Sequence, residues 1–202
     1  MATIESSLKN MLLTLLIITA ISGTSLGFVY KMTKEPIAAA KAKKQQEAIK
    51  LVVPEFTNNP AEDVVELTSK EGFSIKVFPA IKDGELVGVA VETMTNTGFG
   101  GDIKIMVGFK PDGTIVNYQV LEHKETPGLG TKMDPWFKTD KANQNIINKN
   151  PESNNLTVSK DGGEVDAITA ATISSRAFLD AVRVGYETFM ENKNKIEKGA
   201  AQ

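Results

Sequence analysis

Residues 73–95, FSIKVFPAIKDGELVGVAVETMT, hold two apolar-rich runs on either side of the turn sequence KDG at residues 82–84. Residues 103–121, IKIMVGFKPDGTIVNYQVL, repeat this arrangement around the turn sequence PDG at residues 111–113. An Asp-Gly step supplies the positive φ angles that tight hairpin turns require. The sequence therefore predicts two antiparallel β-hairpins in the middle of the chain.

A helix is predicted near the C-terminus, because apolar residues recur at helical spacing from about Ile173 to Asn192. Together with the hairpins, this helix predicts an α+β domain in which helices pack against an antiparallel sheet. Less regular structure is expected between the second hairpin and the helix. Its parts are a loop at residues 122–136, a short helix at 141–149, a polar turn at 150–155 and a short strand at 156–159.

The composition excludes several classes of function. The chain has 202 residues and a net charge of -2, so it offers no basic surface for nucleic acid. It contains no cysteine and a single histidine, His123, which excludes disulfides, Cys-ligated iron-sulfur clusters and the usual zinc sites. No metal site is predicted, and any redox chemistry must come from an organic cofactor.

The N-terminal region predicts a membrane anchor. Residues 11–30, MLLTLLIITAISGTSLGFVY, carry no charge, and at about 1.5 Å per residue a helix of this length spans a bilayer core of roughly 30 Å. A buried core helix and a cleaved signal peptide are the alternatives. The expected organisation is a tail at 1–10, a single transmembrane helix at 11–30, a helical stalk at 31–53, a domain at 54–192 and a polar, frayed tail at 193–202.

The lysines around the predicted span bear on its orientation. Lys9 alone precedes the span, whereas several lysines follow it closely. These are Lys31, Lys34, Lys41, Lys43 and Lys44. By the positive-inside rule, this distribution favours a cytoplasmic C-terminal domain.

Residues 165–175, VDAITAATISS, lead into the predicted C-terminal helix. Serine and threonine at a helix start are ordinarily N-cap residues. The unpaired N–H groups and partial positive charge of a helix N-terminus also favour a bound phosphate. A hydroxyl at this place could therefore be esterified by a phosphate that the helix end stabilises, and the residues alone leave both interpretations open.

Asp166 and the run Thr169–Ser174 resemble the flavinylation motif Asp-x-x-Ser/Thr-Gly-Ala-Thr-x-Ser/Thr of the FMN-binding domain family. The resemblance implies a covalent FMN cofactor, joined through a phosphoester bond to Thr172. Ala170 stands where the family usually has glycine. If this position needs a positive φ, alanine would cost about 1 kcal/mol or more there.

Two glycine-containing segments extend the resemblance. Residues 98–101, GFGG, and residues 125–130, ETPGLG, are similar to two further signatures of the same family. The resemblance implies that the second segment approaches the flavin, and its glycines allow close backbone contact. Glu122 and Glu125 have the spacing of a solvated edge, although Glu125 also belongs to the family segment. The cofactor-binding residues that the resemblance implies are Asp166, Thr169, Ala170, Ala171, Thr172 and Ser174 in the motif, and Glu125, Thr126, Gly128, Leu129 and Gly130 in the segment.

With the anchor and the chain length, these motifs make the sequence similar to the G subunits of Rnf complexes, which are ion-translocating ferredoxin:NAD oxidoreductases. The resemblance implies a flavoprotein subunit that relays electrons and has no catalytic residue or substrate turnover of its own. The implied partners are the other membrane and peripheral subunits, the lipid bilayer, and a flavin transferase during maturation.

The same resemblance implies a bacterial or archaeal cell membrane with the C-terminal domain outside the cytoplasm, which opposes the lysine distribution. We expect the outward orientation, because assembly with partner subunits can override the charge bias of one anchor. Two alternatives remain. One is the FMN-bearing C subunit of a sodium-translocating NADH:quinone reductase, and the other is a membrane-anchored assembly module without a flavin.

Overall fold

The computed structural model describes residues 7–200, with side chains as far as residue 197. Residues 1–6 of the expected N-terminal tail and residues 201–202 of the expected C-terminal tail lie outside the described residues. The chain divides into two compact units, one that ends at Lys43 and one that begins at Lys44.

Helix α1, Leu8–Val52, is continuous over 45 residues and includes Pro36. By length and composition it can cross a membrane. Hydroxyl groups within it donate to carbonyl oxygens one turn earlier, as Thr14 Oγ1 does to Asn10 O at 2.8 Å. These hydroxyls are therefore hydrogen-bonded within the helix, as an apolar membrane interior requires. The spanning helix and the stalk, which the sequence predicts as separate segments, form one helix because strong helix formers dominate its second half.

The second unit contains a five-stranded antiparallel sheet with the strand order β1-β2-β3-β4-β5. The two predicted hairpins are confirmed, and their turns use the positive φ angles of glycine, 83° at Gly84 and 87° at Gly113. Strand β1, a short edge strand that pairs on one side only, has no counterpart among the sequence predictions. The strands are β1 Val65–Thr68, β2 Ser74–Lys82, β3 Glu85–Gly98, β4 Gly101–Phe109 and β5 Ile115–Glu122.

Different helices cover the two faces of the sheet. Helix α3, Thr172–Glu191, packs on one face and is the helix that the sequence periodicity predicts. The last turns of α1 pack on the other face through Ala48, Ile49 and Val52. The second unit therefore begins within the predicted stalk rather than at residue 54, because these apolar side chains are buried against the sheet.

The segment between β5 and α3 is mostly irregular, as expected. Its short regular parts are a 3-10 turn at Gly130–Lys132, helix α2 at Met133–Trp136 and a second 3-10 turn at Ser159–Asp161. The strand predicted at residues 156–159 is reduced to one isolated bridge between Val158 and Val165, because the chain enters the second 3-10 turn directly after Val158.

The prediction of a short helix at residues 141–149 is wrong, because this segment consists of turns and irregular structure. The N–H of Ile146 bonds to Phe137 O at 3.0 Å, and the N–H of Asn148 bonds to Ile115 O at 2.9 Å. These groups make contacts with other segments instead of bonds to a preceding helical turn. Asn148 also has a φ of 61°, which interrupts a right-handed helix.

The C-terminal tail differs from the expectation of a frayed polar segment. Residues Lys193–Ala200 form helix α4, and Ile196 is buried in the main core. A single apolar side chain among polar neighbours is too weak a periodic signal to predict such a helix.

Candidate functional site

A pocket of about 320 Å³ lies at the N-terminus of α3. Three segments that are distant in sequence form it: the tip of the β3–β4 hairpin, the loop after β5 and the start of α3. The lining residues are Phe99, Thr126, Leu129, Gly130, Ala170, Ala171, Thr172, Ile173 and Ser174. Except for Phe99 and Ile173, all of them are among the cofactor-binding residues expected from the sequence.

The first turn of α3 carries hydroxyl groups that do not cap the helix. The N-cap residue is Ala171, and no side chain of the described residues caps it. The Ser174 hydroxyl donates to Glu125 Oε2, and the Ser175 hydroxyl donates to Ala171 O at 3.0 Å. The interpretation of these hydroxyls as ordinary N-caps is therefore wrong. The N–H groups of residues 172–174 precede the first intrahelical bond, so they are available to an acceptor such as a phosphate oxygen.

Thr172 is the first residue of α3 and is half-buried at the pocket. Its hydroxyl accepts a hydrogen bond from Lys160 Nζ at 3.3 Å. Beside Lys160, the guanidinium of Arg176 donates two hydrogen bonds of 2.6 and 2.7 Å to the carboxylate of Asp161. This contact lowers the pKa of Asp161 and raises the pKa of Arg176. The sequence gives no signal for Lys160, since its spacing from Thr172 matches no motif.

Ala170 has a φ of 62°, in the left-handed region that favours glycine. This is the position at which the flavinylation motif usually has glycine. The glycine usual in the motif would adopt this conformation freely, whereas this chain places an alanine in it. A residue with a Cβ is strained by about 1–2 kcal/mol in this conformation.

Glu125 joins the three segments that form the pocket. It is only 4% exposed, so the interpretation of Glu122 and Glu125 as a solvated edge is wrong for Glu125. Glu125 Oε1 accepts the N–H of Gly100 at 2.9 Å, and Oε2 accepts the hydroxyl of Ser174. Two neutral donors thus satisfy the buried carboxylate and hold the hairpin tip, the loop and the helix together.

The glycines around Glu125 allow this close packing. A Cβ at Gly98 would lie 2.7 Å from Glu125 Oε1, and a Cβ at Gly130 would lie 2.6 Å from Oε2. A Cβ at Gly100 would lie 2.0 Å from Lys124 O. The loop after β5 therefore approaches the backbone of the GFGG segment closely.

Three exposed apolar side chains surround the pocket and form a surface that we call the apolar rim. Phe99 is 68% exposed, Ile173 is 48% exposed and Leu129 is 38% exposed. Among the described residues outside α1, the exposed large apolar side chains are these three and Val64. Apolar side chains gathered in this way on an otherwise polar surface are typical of a binding site. Phe99 and Ile173 are the members that the sequence does not identify as binding residues.

Four of the expected cofactor-binding residues, Asp166, Thr169, Glu125 and Gly128, are not part of the pocket lining. Asp166 joins neighbouring segments instead, because its carboxylate accepts the N–H of Asn143 at 3.1 Å and the hydroxyl of Ser159 at 3.2 Å. Thr169 is exposed, and Gly128 forms a turn with a φ of 75°. These contacts stabilise the segment before the motif and the loop after β5.

The pocket combines two kinds of contact within one site. On one side it has the Thr172 hydroxyl and open helix N–H groups, and the ammonium of Lys160 contacts that hydroxyl from outside the pocket lining; these groups suit a phosphate. On the other side it has the apolar rim, which suits a planar, largely apolar ring. The residues present therefore fit an amphipathic ligand that carries a phosphate at one end, as a flavin mononucleotide does.

Comparison with protein families gives an independent result for this region. The family model described as "FMN-binding domain" matches residues 98–187. The match begins in the hairpin tip, includes the loop after β5 and extends through most of α3, so it contains the whole pocket lining.

Curated relatives resemble nearly the whole chain. A protein of Haemophilus influenzae (strain PittEE), named as the G subunit of an ion-translocating oxidoreductase complex, is 33% identical over 86% of this chain and 86% of its own length. Proteins of the same name from Cereibacter sphaeroides and Vibrio cholerae (strain M66-2) are 30% and 29% identical. These two alignments cover 87% and 93% of this chain, and 81% and 92% of the relatives.

Proposed function

Because the chain belongs to the family of G subunits of ion-translocating oxidoreductase complexes, we propose that it is a membrane-anchored flavoprotein subunit of such a complex. The observation that carries this proposal is the Thr172 hydroxyl, which lies at an open helix N-terminus beside the apolar rim. The near full-length correspondence with the relatives supports the G subunit rather than the quinone-reductase subunit, whose chain is usually longer.

The cofactor is FMN, and we propose that it is joined to Thr172 by a phosphoester bond. A phosphodiester on Thr172 keeps one negative charge, which the partial positive charge at the start of α3 favours. The N–H groups of residues 172–174 offer donors to its free oxygens. Neighbouring hydroxyls are less suited to attachment, because Ser174 already donates to buried Glu125 and Thr169 lies outside the pocket lining.

The protein's part in electron transfer is to hold and orient the flavin. FMN itself supplies one- and two-electron transfer when it is bound. Phe99, Leu129 and Ile173 offer apolar contacts to the ring and exclude water from its covered side. Glu125 fixes the relative positions of these side chains, since it bonds to the segments that carry Phe99 and Ile173.

The proposed role is a relay between neighbouring cofactors of the complex, on a path from ferredoxin toward NAD that is coupled to sodium ion or proton transport. The protein turns over no soluble substrate of its own. Helix α1 anchors it as a single-pass protein of a bacterial or archaeal cell membrane. The C-terminal domain lies outside the cytoplasm, where the flavin transferase that the family resemblance implies acts.

The covalent attachment is tested with Thr172→Ala and the matched control Thr169→Ala. Each full-length protein is produced with a flavin transferase, and flavin fluorescence is measured on a denaturing gel together with the intact mass. We expect the parent and Thr169→Ala to carry one FMN each, and Thr172→Ala to carry none while it remains folded. Flavin that persists on Thr172→Ala would place the bond at another residue, with Thr169 and Ser174 the next to test.

A further inference from the structure

Lys160 makes a contact that neither the sequence motifs nor the family resemblance identifies. Its ammonium donates to Thr172 Oγ1 at 3.3 Å from a turn twelve residues earlier in the chain. We propose that Lys160 is the phosphate-positioning residue of this site, which pairs with the phosphate group carried on Thr172. This inference rests on the proposed covalent flavin, and it adds a residue that holds the flavin's charged end.

The turn that carries Lys160 is fixed to the motif itself. The N–H of Ser159 bonds to Val165 O at 2.8 Å, and the hydroxyl of Ser159 bonds to Asp166 Oδ1 at 3.2 Å. The turn ends at Gly162, whose φ of 84° is accessible to glycine. Because both ends of the turn are held, the backbone of Lys160 has a defined position relative to Thr172, and only the side chain has to be ordered.

The neighbouring charges leave the ammonium of Lys160 directed at Thr172. Asp161 would be a competing partner for Lys160, but Arg176 occupies its carboxylate with two hydrogen bonds. On the other side of the helix start, the buried carboxylate of Glu125 is bonded to neutral donors only in its described contacts. A phosphate on Thr172 adds a negative charge at this helix start, and Lys160, which contacts Thr172, supplies a compensating positive charge.

The contact changes in a defined way when Thr172 is esterified. In the transfer from flavin adenine dinucleotide, the Thr172 oxygen bonds to the phosphorus on the flavin side, the pyrophosphate bond breaks and AMP leaves. The threonine oxygen becomes the bridging oxygen of a phosphodiester, and its hydroxyl proton is released to solvent. The negative charge then lies on the two free phosphate oxygens, which are better acceptors for an ammonium than the bridging oxygen. A small rotation of the long Lys160 side chain brings Nζ to one of them, so the same residue orients the hydroxyl before attachment and the phosphate afterwards.

The test compares Lys160→Met, which removes the charge at similar length, with Lys160→Arg, which retains it. Lys195→Met is the control, because this exposed lysine follows the far end of α3, about 30 Å from Thr172 at 1.5 Å per residue. Each full-length protein is purified without flavin and incubated with purified flavin transferase and flavin adenine dinucleotide. Intact mass gives the initial rate of FMN attachment at ionic strengths of about 0.01 M and about 1 M, where the Debye length is about 30 Å and about 3 Å.

We expect Lys160→Met to attach FMN roughly two- to fivefold more slowly at low salt, the size of effect expected for one exposed charge pair. The difference should disappear at high salt, Lys160→Arg should recover most of the rate, and Lys195→Met should match the parent. An unchanged rate for Lys160→Met at low salt would overturn the inference, and so would a Lys160→Arg rate as low as that of Lys160→Met. If the parent itself gained no flavin on Thr172, the proposed function would fail instead.

Discussion

At the scale of single residues, Ala170 stores strain two residues before Thr172. Its φ of 62° is one that glycine adopts freely and alanine adopts at a cost. The following residue, Ala171, has a φ of -135°, which is ordinary for any residue. Two adjacent alanines at the start of one helix therefore have opposite backbone requirements, and they provide a matched pair of substitutions.

Ala170→Gly should raise the free energy of unfolding by about 0.5–1 kcal/mol. The change removes about 1–2 kcal/mol of left-handed strain, and the greater freedom of glycine in the unfolded chain offsets about 0.4–1 kcal/mol of this gain. Ala171→Gly should instead destabilise, because it adds unfolded-state freedom and removes a buried methyl group without relieving any strain. Urea unfolding of both full-length variants in detergent checks the prediction, and equal destabilisation by the two changes would contradict it.

Glu125 shows how one residue can decide the geometry of the site. Its two carboxylate oxygens bond to Gly100 in the hairpin tip and to Ser174 in α3. A Cβ at Gly130 would lie 2.6 Å from this carboxylate, and a Cβ at Gly98 would lie 2.7 Å from it and 2.3 Å from Gly101 O. The family segment from 125 to 130 therefore has a structural role beneath the pocket as well as a lining role within it.

At the scale of secondary-structure elements, the end of α1 and strand β4 approach each other so closely that no side chain fits between them. A Cβ at Gly108 would lie 1.7 Å from Val52 O. Gly88, on the neighbouring strand β3, is less crowded, because a Cβ there would first meet Phe109 O at 3.0 Å. The last turn of α1 is thus part of the domain rather than a spacer.

Gly108→Ala should destabilise the domain by about 1–3 kcal/mol, the usual cost of overpacking, because the methyl group forces the last turn of α1 away from the sheet. Gly88→Ala is the matched change and should cost less. The measurement is thermal or urea unfolding of the full-length variants, with proteolysis near Val52 as a local readout. A Gly108→Ala protein as stable as the parent would show that the end of α1 can separate from the sheet.

At the scale of the whole molecule, membrane orientation is the property on which charge and family resemblance disagree. The lysines that follow the apolar stretch favour a cytoplasmic domain, whereas the proposed flavinylation requires an outward one. The chain contains no cysteine, so a single introduced thiol reports its own position without background.

Lys195→Cys, at an exposed position of α4, should react with a membrane-impermeant maleimide in intact spheroplasts if the domain faces outward. Ser7→Cys, just before α1, should react only after lysis. The cysteine-free parent gives the background for both. The reverse pattern would put the domain in the cytoplasm and leave the proposed attachment of FMN to Thr172 without its enzyme.

The sequence by itself determines the features that depend on neighbouring residues. The apolar stretch at 11–30 predicts a spanning helix from its length, the Asp-Gly turns predict both hairpins, and the periodicity after Thr172 predicts α3. The motif around Thr172 likewise indicates the flavin family without any structure. Each of these signals lies within about twenty residues, where backbone geometry and residue preference are enough.

The tertiary structure alone decides how these parts form one site. The contact between Glu125 and Ser174 joins residues 49 positions apart. The contact between Lys160 and Thr172 depends on where the second 3-10 turn, which carries Lys160, lies in the fold. The helix predicted at 141–149 fails for the same reason, because the N–H groups of Ile146 and Asn148 bond to carbonyls outside the segment. Local preference differs little between such alternatives, whereas burial of a carboxylate or of an N–H group requires a specific partner, and only the packed fold provides that partner.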